Sequence, residues 1–268
     1  MAGVPTEVPS DVDRGDLMAY CLMLGDDALI LSHRLQQWVT RAPELEDELA
    51  IANIGLDLLG QARLLLTRAG EVEGAGRGED ALAYLRDPGE FRHVALAEGE
   101  DADFAHLVAR LLVFATWRLA LLDRLTGSRD PVLAAIAAKG VKEVTYHREY
   151  AAQWVVRLGD GTELSHERMQ AGLDAVWPLT AELFRPHAIE SRLAAAGVAV
   201  DSSRLRDEFV AVVEQVQEAA TLRHPADGGV DTSGLESVGG RDGVHGEKLV
   251  AILEEMQGLA RAMPGSTW

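Results

Sequence analysis

One stretch of this sequence constrains the fold more than any other, the segment from residue 104 to residue 122. It reads FAHLVARLLVFATWRLALL and contains no aspartate or glutamate. A helix that is apolar almost all round has to be surrounded by other elements, because its faces would otherwise leave apolar area in water. Arg110 and Arg118 interrupt the run, and no stretch reaches the ~20 apolar residues of a membrane span. The segment therefore predicts a well-buried helix.

The rest of the chain is also helical in pattern. Alanine, leucine, glutamate, arginine and glutamine recur with a period near 3.6 residues, and β-branched alternation is scarce. Long helices are predicted at about residues 16–39, 44–69, 104–126 and 132–158. A fifth helix runs from about residue 162 towards 183, with a kink expected at Pro178. Shorter helices are predicted near residues 80–85, 201–222 and 247–262.

Two pairs of long helices with a longer crossover predict an all-α fold, a ferritin-like four-helix bundle with additional C-terminal helices. We interpret residues 16–268 as a single ferritin-like domain. Residues 1–15 are acidic and lack an apolar run, so they are predicted to be a flexible segment and not a signal peptide. Residues 224–243 are rich in Gly, Ser and Asp and are predicted to form a mobile loop.

Charge and cysteine content narrow the class of protein. The chain has 25 Lys plus Arg against 43 Asp plus Glu, a formal net charge of −18. Such a chain repels nucleic acid and anionic membranes, so neither is expected as a partner. Cys21 is the only cysteine, which excludes an intramolecular disulfide and favours the cytoplasm. The sequence has no Walker-type loop, G-x-S-x-G motif or Cys/His cluster.

The polar residues in the middle of the predicted bundle indicate whether the chain can hold a metal centre. A di-iron bundle takes a Glu from each of two helices and Glu-x-x-His from each of the other two. Here Glu143 stands four residues before His147, and Val144 occupies the position three before it. Asp57 and Gln61 repeat that spacing on the second helix, and a neutral amide is a poor iron ligand. With no carboxylate in the middle of the third helix, an intact di-iron site lacks ligands.

We interpret Asp57, Gln61, Glu143 and His147 as a buried hydrogen-bonded network, because buried polar groups need partners. Exposure of these groups at the surface is one alternative. A di-iron oxidase that uses Asp57, Glu143 and His147 with acids at the helix ends is another. The first interpretation predicts an accessory or interaction role and no catalysis.

Several stretches of the chain together point to one family. They include YCLMLGDDALILSHRLQQW, IANIGLDLLGQAR, KEVTYH and LEEMQGLARAMPGSTW. From about residue 17 to residue 268 the chain resembles the C-subunit family of the bacterial phenylacetyl-CoA epoxidase complexes. The first ~15 residues and the glycine-rich loop match least well.

The resemblance implies a structural subunit of a complex that epoxidises the aromatic ring of phenylacetyl-CoA with O2, in aerobic phenylacetate degradation. It implies that a sister subunit of the same fold holds the di-iron centre and that a reductase with flavin and an iron–sulfur cluster supplies electrons from NADPH. This chain would pair with the catalytic subunit, meet the reductase and small subunits indirectly, and hold no cofactor or catalytic centre of its own. Val144 then stands where the catalytic relative has Glu, and Gln61 where it has His.

Two other functions stay open at this point. One is a di-iron oxidase or oxygenase active in its own right, which would bind iron and lose activity in His147→Ala. The other is a helical binding module outside this pathway.

The resemblance also implies a role in shaping the CoA-binding surface at the subunit interface. The candidate substrate-binding residues are Glu46, Asp47, Glu48, Leu49, Arg185, His187 and Arg192. The first four open the second helix, whose N-terminal N–H groups can meet a polar ligand group, although its acids argue against a phosphate. The last three are basic residues that suit either CoA phosphates or ordinary surface charge.

Overall fold

The computed structural model describes residues 4–225 and 239–264, and all regular secondary structure in these ranges is helical. The all-α class predicted from the sequence is confirmed. The long helices are α1 (Arg14–Gln36), α2 (Leu45–Glu73), α5 (Phe104–Leu125) and α6 (Pro131–Gly159). The shorter helices are α3 (Glu79–Tyr84), α4 (Ala95–Glu98), α7 (Glu163–Val176), α8 (Thr180–Leu183), α9 (Ala188–Ala195), α10 (Arg206–Ala219) and α11 (Glu247–Ala262).

The described residues fall into two compact units, each built around one long helical pair. The first, here the α1–α2 unit, contains residues 5–100 and 239–264. The second, here the α5–α6 unit, contains residue 4 and residues 101–225. Long antiparallel pairs of this kind are the building blocks of a ferritin-like bundle. The single domain predicted over residues 16–268 stays a prediction.

In the α1–α2 unit, α1 is buried along almost its whole length. Its start is fixed by Asp13, whose side chain accepts a hydrogen bond from the Asp16 amide at 2.9 Å. α2 ends at Gly74, whose left-handed conformation (φ 73°) satisfies the last turn. A Cβ added at Gly25 would lie 3.1 Å from the Leu66 side chain, so α1 and α2 pack closely there. Helices α3 and α11 pack in the same unit.

In the α5–α6 unit, the apolar helix predicted from the sequence is confirmed as α5, which is buried on nearly every face. Asp103 caps it by accepting a hydrogen bond from the His106 amide at 2.9 Å. Asp130 caps α6 by accepting from the Leu133 amide at 2.8 Å, with Pro131 in the first turn. Helices α7 and α10 cover the pair.

The helical segment after residue 162 is interrupted where proline predicts it. A 3₁₀ turn at Trp177–Leu179 separates α7 from α8, because Pro178 has no amide hydrogen to continue the helix. The helix α9 that follows was not predicted. Its sequence is short and only weakly amphipathic, so periodicity alone did not reveal it.

Length and hydropathy alone would allow α2 and α5 to cross a membrane, although the sequence had suggested no such stretch. In α5, 89% of its apolar 18-residue stretch is buried inside the protein. In α2, 50% of the corresponding stretch is buried. A stretch buried to that extent identifies α5 as a core helix, and α2 as a helix with one face packed and one face open.

Parts of two predicted flexible segments lie outside the described residues, namely 1–3 and 226–238. Of the N-terminal segment 1–15, Thr6 accepts a hydrogen bond through its carbonyl oxygen from Arg68 Nη1 at 2.7 Å. Of the predicted loop 224–243, residues Gly240–Asp242 form a 3₁₀ turn. The flexibility of both segments stays a prediction.

Candidate functional site

The four residues of the predicted polar network lie on the two long helices to which the sequence assigned them. Gln61 on α2 and His147 on α6 are each about 1% exposed, and Asp57 and Glu143 are half-buried. Glu143 forms an ion pair with Lys139 one turn earlier. The α2 pair belongs to one compact unit and the α6 pair to the other, so a network that joins them stays a prediction.

Replacing His147 with alanine is expected to lower the free energy of unfolding by about 1–3 kcal/mol, since the imidazole is buried and a buried imidazole needs hydrogen-bond partners, which the substitution would leave unpaired. Denaturant unfolding followed by circular dichroism measures this change. Thr145→Ala on the exposed face of α6 is the control and should change the free energy by less than about 0.5 kcal/mol. Equal values for the two variants would contradict a stabilising role for His147.

Four acids that an oxidase could use besides Asp57 and Glu143 are engaged in structural contacts. The side chain of Asp101 is fully buried and forms an ion pair with the buried Arg110. Asp103 is the cap of α5. Asp26 and Asp27 of α1 are both 0% exposed, and they form ion pairs with Arg86 and Arg241.

Asp26 and Asp27 each bind one guanidinium and one backbone amide. Asp26 Oδ2 accepts from Arg86 Nη1 at 3.0 Å and from the Arg92 amide at 2.9 Å. Asp27 accepts from Arg241 at both oxygens, Nη1 to Oδ1 at 3.0 Å and Nη2 to Oδ2 at 2.9 Å, and from the Val94 amide at 2.9 Å. These two aspartates therefore hold the segments around residues 92–94 and residue 241 against α1.

The residues suggested for substrate binding do not form one described cluster. Glu46 and Leu49 are exposed at the start of α2, whereas Asp47 is buried there and Glu48 is half-buried. His187 belongs to the α5–α6 unit, where its Nδ1 accepts from the Ile189 amide at 3.2 Å and caps α9.

The other two basic candidates, Arg185 and Arg192, are exposed in the same α5–α6 unit. A role in CoA binding stays a prediction for all seven residues, and His187 has in addition a structural task that the sequence did not reveal.

A second polar cluster was not predicted, and it consists of His93, Glu98 and His245 in the α1–α2 unit. Glu98 Oε2 lies 3.0 Å from His93 Nε2 and 3.2 Å from His245 Nδ1. The two imidazole rings stack with their centroids 4.1 Å apart. His245 Nε2 faces the Phe91 carbonyl oxygen at 2.9 Å. The side chains are 0%, 11% and 3% exposed, so the cluster is almost closed to solvent.

The surroundings set the charge of this cluster. Burial by itself raises the pKa of Glu98, but the interactions with His245 and His93 outweigh burial and lower that pKa to about 2. Burial lowers the pKa of His93, and Glu98 opposes that shift only in part. Near neutral pH the cluster therefore combines an ionised carboxylate with a neutral His93.

The cluster is assembled from three separate segments. His93 lies in the extended stretch held by Asp26 and Asp27, and Glu98 ends the short helix α4. His245 follows the turn at Gly243, whose φ of 80° favours glycine and whose Cβ position is filled by the Gly89 carbonyl oxygen. Because the histidines lie far apart in the chain, no local metal-binding spacing reveals them.

The outward face of α2 carries a row of leucines, here called the leucine stripe. Leu45, Leu49 and Leu56 are 65%, 58% and 59% exposed. Together with Ala52 they follow alternating steps of four and three residues, which is the spacing of a coiled-coil seam. Three exposed leucines in such a row, with the half-buried Ala52 between them, indicate an interaction surface.

Comparison with known proteins gives two matches. A family model described as phenylacetic acid catabolic protein matches residues 1–268. The C subunit of the 1,2-phenylacetyl-CoA epoxidase of Escherichia coli (strain K12) is 45% identical over 252 residues, which are 94% of this chain and 99% of that protein. The similarity therefore extends over nearly the full length of both chains.

Proposed function

The chain belongs to the phenylacetic acid catabolic protein family, and from this membership we propose that it is a non-catalytic structural subunit of a phenylacetyl-CoA epoxidase complex. In this role it pairs in the cytoplasm with the subunit that holds the di-iron centre. It contributes to aerobic phenylacetate degradation without a catalytic centre of its own. The reductase and the small subunits are indirect partners.

One observation carries the non-catalytic role, the lack of carboxylates along α5. Between residues 104 and 122 the helix has no Asp or Glu, although a di-iron bundle requires carboxylates from all four helices. Asp101 and Asp103 near its start are engaged by Arg110 and by the His106 amide. Val144 and Gln61 occupy positions where iron needs Glu and His, and neither side chain is a good iron ligand.

The leucine stripe is the surface that we assign to the catalytic subunit. It is apolar, lies along one helix and has heptad spacing, so it suits a helix of a partner bundle. Phenylacetyl-CoA would then lie beside this interface, next to the start of α2, without a catalytic residue from this chain.

Co-expression with the catalytic subunit of the same complex tests this proposal. We expect the two chains to co-purify on a tag carried by either one. We expect this chain alone, supplied with the reductase, NADPH and phenylacetyl-CoA, to consume no O2 above background. Oxygen consumption by the isolated chain that disappears in His147→Ala would favour the independent oxidase, and recovery of only free chains would contradict the structural role.

A further inference from the structure

We propose that His93, Glu98 and His245 bind one divalent transition-metal ion, with Zn²⁺ as the preferred ion. The site lies wholly within the α1–α2 unit. It shares no residue with the polar network predicted from Asp57, Gln61, Glu143 and His147. It is also independent of the catalytic subunit's iron, since its ligands are side chains of this chain alone.

The distances between the ligand atoms suit one ion. Two ligands that each lie about 2.1 Å from a metal stand about 3.0 Å apart at a right angle and about 3.4 Å apart at the tetrahedral angle. Glu98 Oε2 lies 3.0 Å from His93 Nε2 and 3.2 Å from His245 Nδ1. All three ligand atoms lie within 4.8 Å of one another. The two stacked rings lie 13° from parallel, so binding one ion requires them to turn until the in-plane lone pairs of both reach it.

The hydrogen bonding of His245 favours a cation between its Nδ1 atom and the Glu98 carboxylate. Its Nε2 lies 2.9 Å from the Phe91 carbonyl oxygen, which only accepts, so Nε2 carries the proton. In the neutral ring Nδ1 then presents a lone pair, and this lone pair lies 3.2 Å from an oxygen of the Glu98 carboxylate. Among the described residues, Nδ1 has no hydrogen-bond partner of acceptable geometry. A cation at this position satisfies both atoms, either as a proton on Nδ1 or as a metal ion bonded to Nδ1 and Oε2.

Outer contacts orient two of the three ligands. A metal-binding histidine usually donates its other N–H to a carbonyl or carboxylate, as His245 does to Phe91. Glu98 is held at its backbone oxygen by Arg34 Nε at 3.0 Å and at Oε1 by the Gly246 amide at 3.4 Å. His93 Nδ1 has no such partner within the part of the chain that the structure describes. His245 is therefore the better-oriented imidazole of the two.

The donor set selects the class of ion. Two imidazole nitrogens and one carboxylate oxygen suit Zn²⁺ and Fe²⁺, and nitrogen–oxygen sites generally bind Zn²⁺ more tightly than Fe²⁺ or Mn²⁺. Three protein ligands leave one position for water, which the partly open side of Glu98 admits. The ion would join the segment around residue 245 to the crossover around residues 93–98. Its role is to stabilise the packing of the segment around residue 245 in the α1–α2 unit.

Metal titration of the full-length chain tests this proposal. The purified chain is stripped with a chelator, and Zn²⁺ binding is followed by calorimetry, with Co²⁺ absorption as a probe of geometry. We expect one ion per chain. His245→Ala is expected to weaken Zn²⁺ binding by more than about 100-fold, since loss of an outer contact alone costs about 10–100-fold. Glu98→Gln should also weaken binding strongly, and His93→Ala should do so to a smaller extent than His245→Ala.

The control is His166→Ala, a histidine of α7 in the other unit, which should bind Zn²⁺ as the wild type does. Circular dichroism of each variant shows whether it folds. X-ray absorption of the zinc-loaded wild type needs no variant and should find two histidine nitrogens and one carboxylate oxygen. The proposal is overturned if the wild type binds no ion at 100-fold excess, or if every variant binds with wild-type affinity. Two ions per chain, unaffected by His245→Ala, would instead revive the independent di-iron site.

Discussion

Replacing Arg241 with methionine is expected to reduce the free energy of unfolding by about 3–5 kcal/mol, because it leaves a buried carboxylate without its cation. Asp27 is 0% exposed and binds Arg241 through both oxygens, at 3.0 and 2.9 Å. The same guanidinium also donates to the carbonyl oxygens of Met23 and Arg92, so several acceptors lose a donor at once. Denaturant unfolding of the wild type and the variant measures the difference.

Two further variants separate the ion pair from simple loss of packing. Arg204→Met removes an arginine that is 82% exposed and paired with Asp201, and it should cost less than about 1 kcal/mol. The double variant Asp27→Asn with Arg241→Met should recover most of the loss. Asparagine keeps an acceptor for the Val94 amide but carries no charge. If the double variant were as unstable as Arg241→Met alone, the buried charge would not be the cause.

Placing glutamate at both Leu49 and Leu56 is expected to weaken binding to the catalytic subunit by at least about 30-fold, the equivalent of 2 kcal/mol at an interface hot spot. These side chains are 58% and 59% exposed, so the charges should leave the fold of the free chain intact. Within a closed interface, the same charges would lose water without gaining a partner. Co-purification and calorimetric titration with the catalytic subunit measure the effect.

The matched control is Leu164→Glu on α7, which is 58% exposed in the α5–α6 unit. It adds a similar charge at a similar exposure, away from the leucine stripe. Equal loss of binding in the control and in the double variant would mean that net charge, and not the stripe, governs association. Unchanged binding in both would place the partner surface elsewhere.

Much of the fold follows from local sequence. The all-α class, the long helices and the break at Pro178 were predictable because apolar periodicity, caps and proline act within a few residues. Helix α11 begins and ends where the pattern of the sequence predicts. Helix α9 escaped prediction because its eight residues are too short to show a clear period.

The candidate sites depend on contacts between distant segments, and here the sequence was less informative. Asp26 and Asp27 pair with Arg86 and Arg241, which come from later segments, so local sequence does not reveal these contacts. Gln61 and His147 are each about 1% exposed, and the network predicted around them stays a prediction. The stacked pair of His93 and His245 had no local signal, because only the fold brings these rings together.

The pairing of Asp27 with Arg241 also has a consequence for biosynthesis. A ribosome adds about 5–20 residues each second, and α1 leaves it long before residue 241 has been made. During that interval Asp27 stays hydrated, since burying it without its arginine is costly. The α1–α2 unit therefore completes its core only near the end of translation, after the α5–α6 unit has emerged. A nascent chain that stalls before residue 241 would leave apolar core residues of the α1–α2 unit exposed. Chaperones and proteases would then act on a chain in that state.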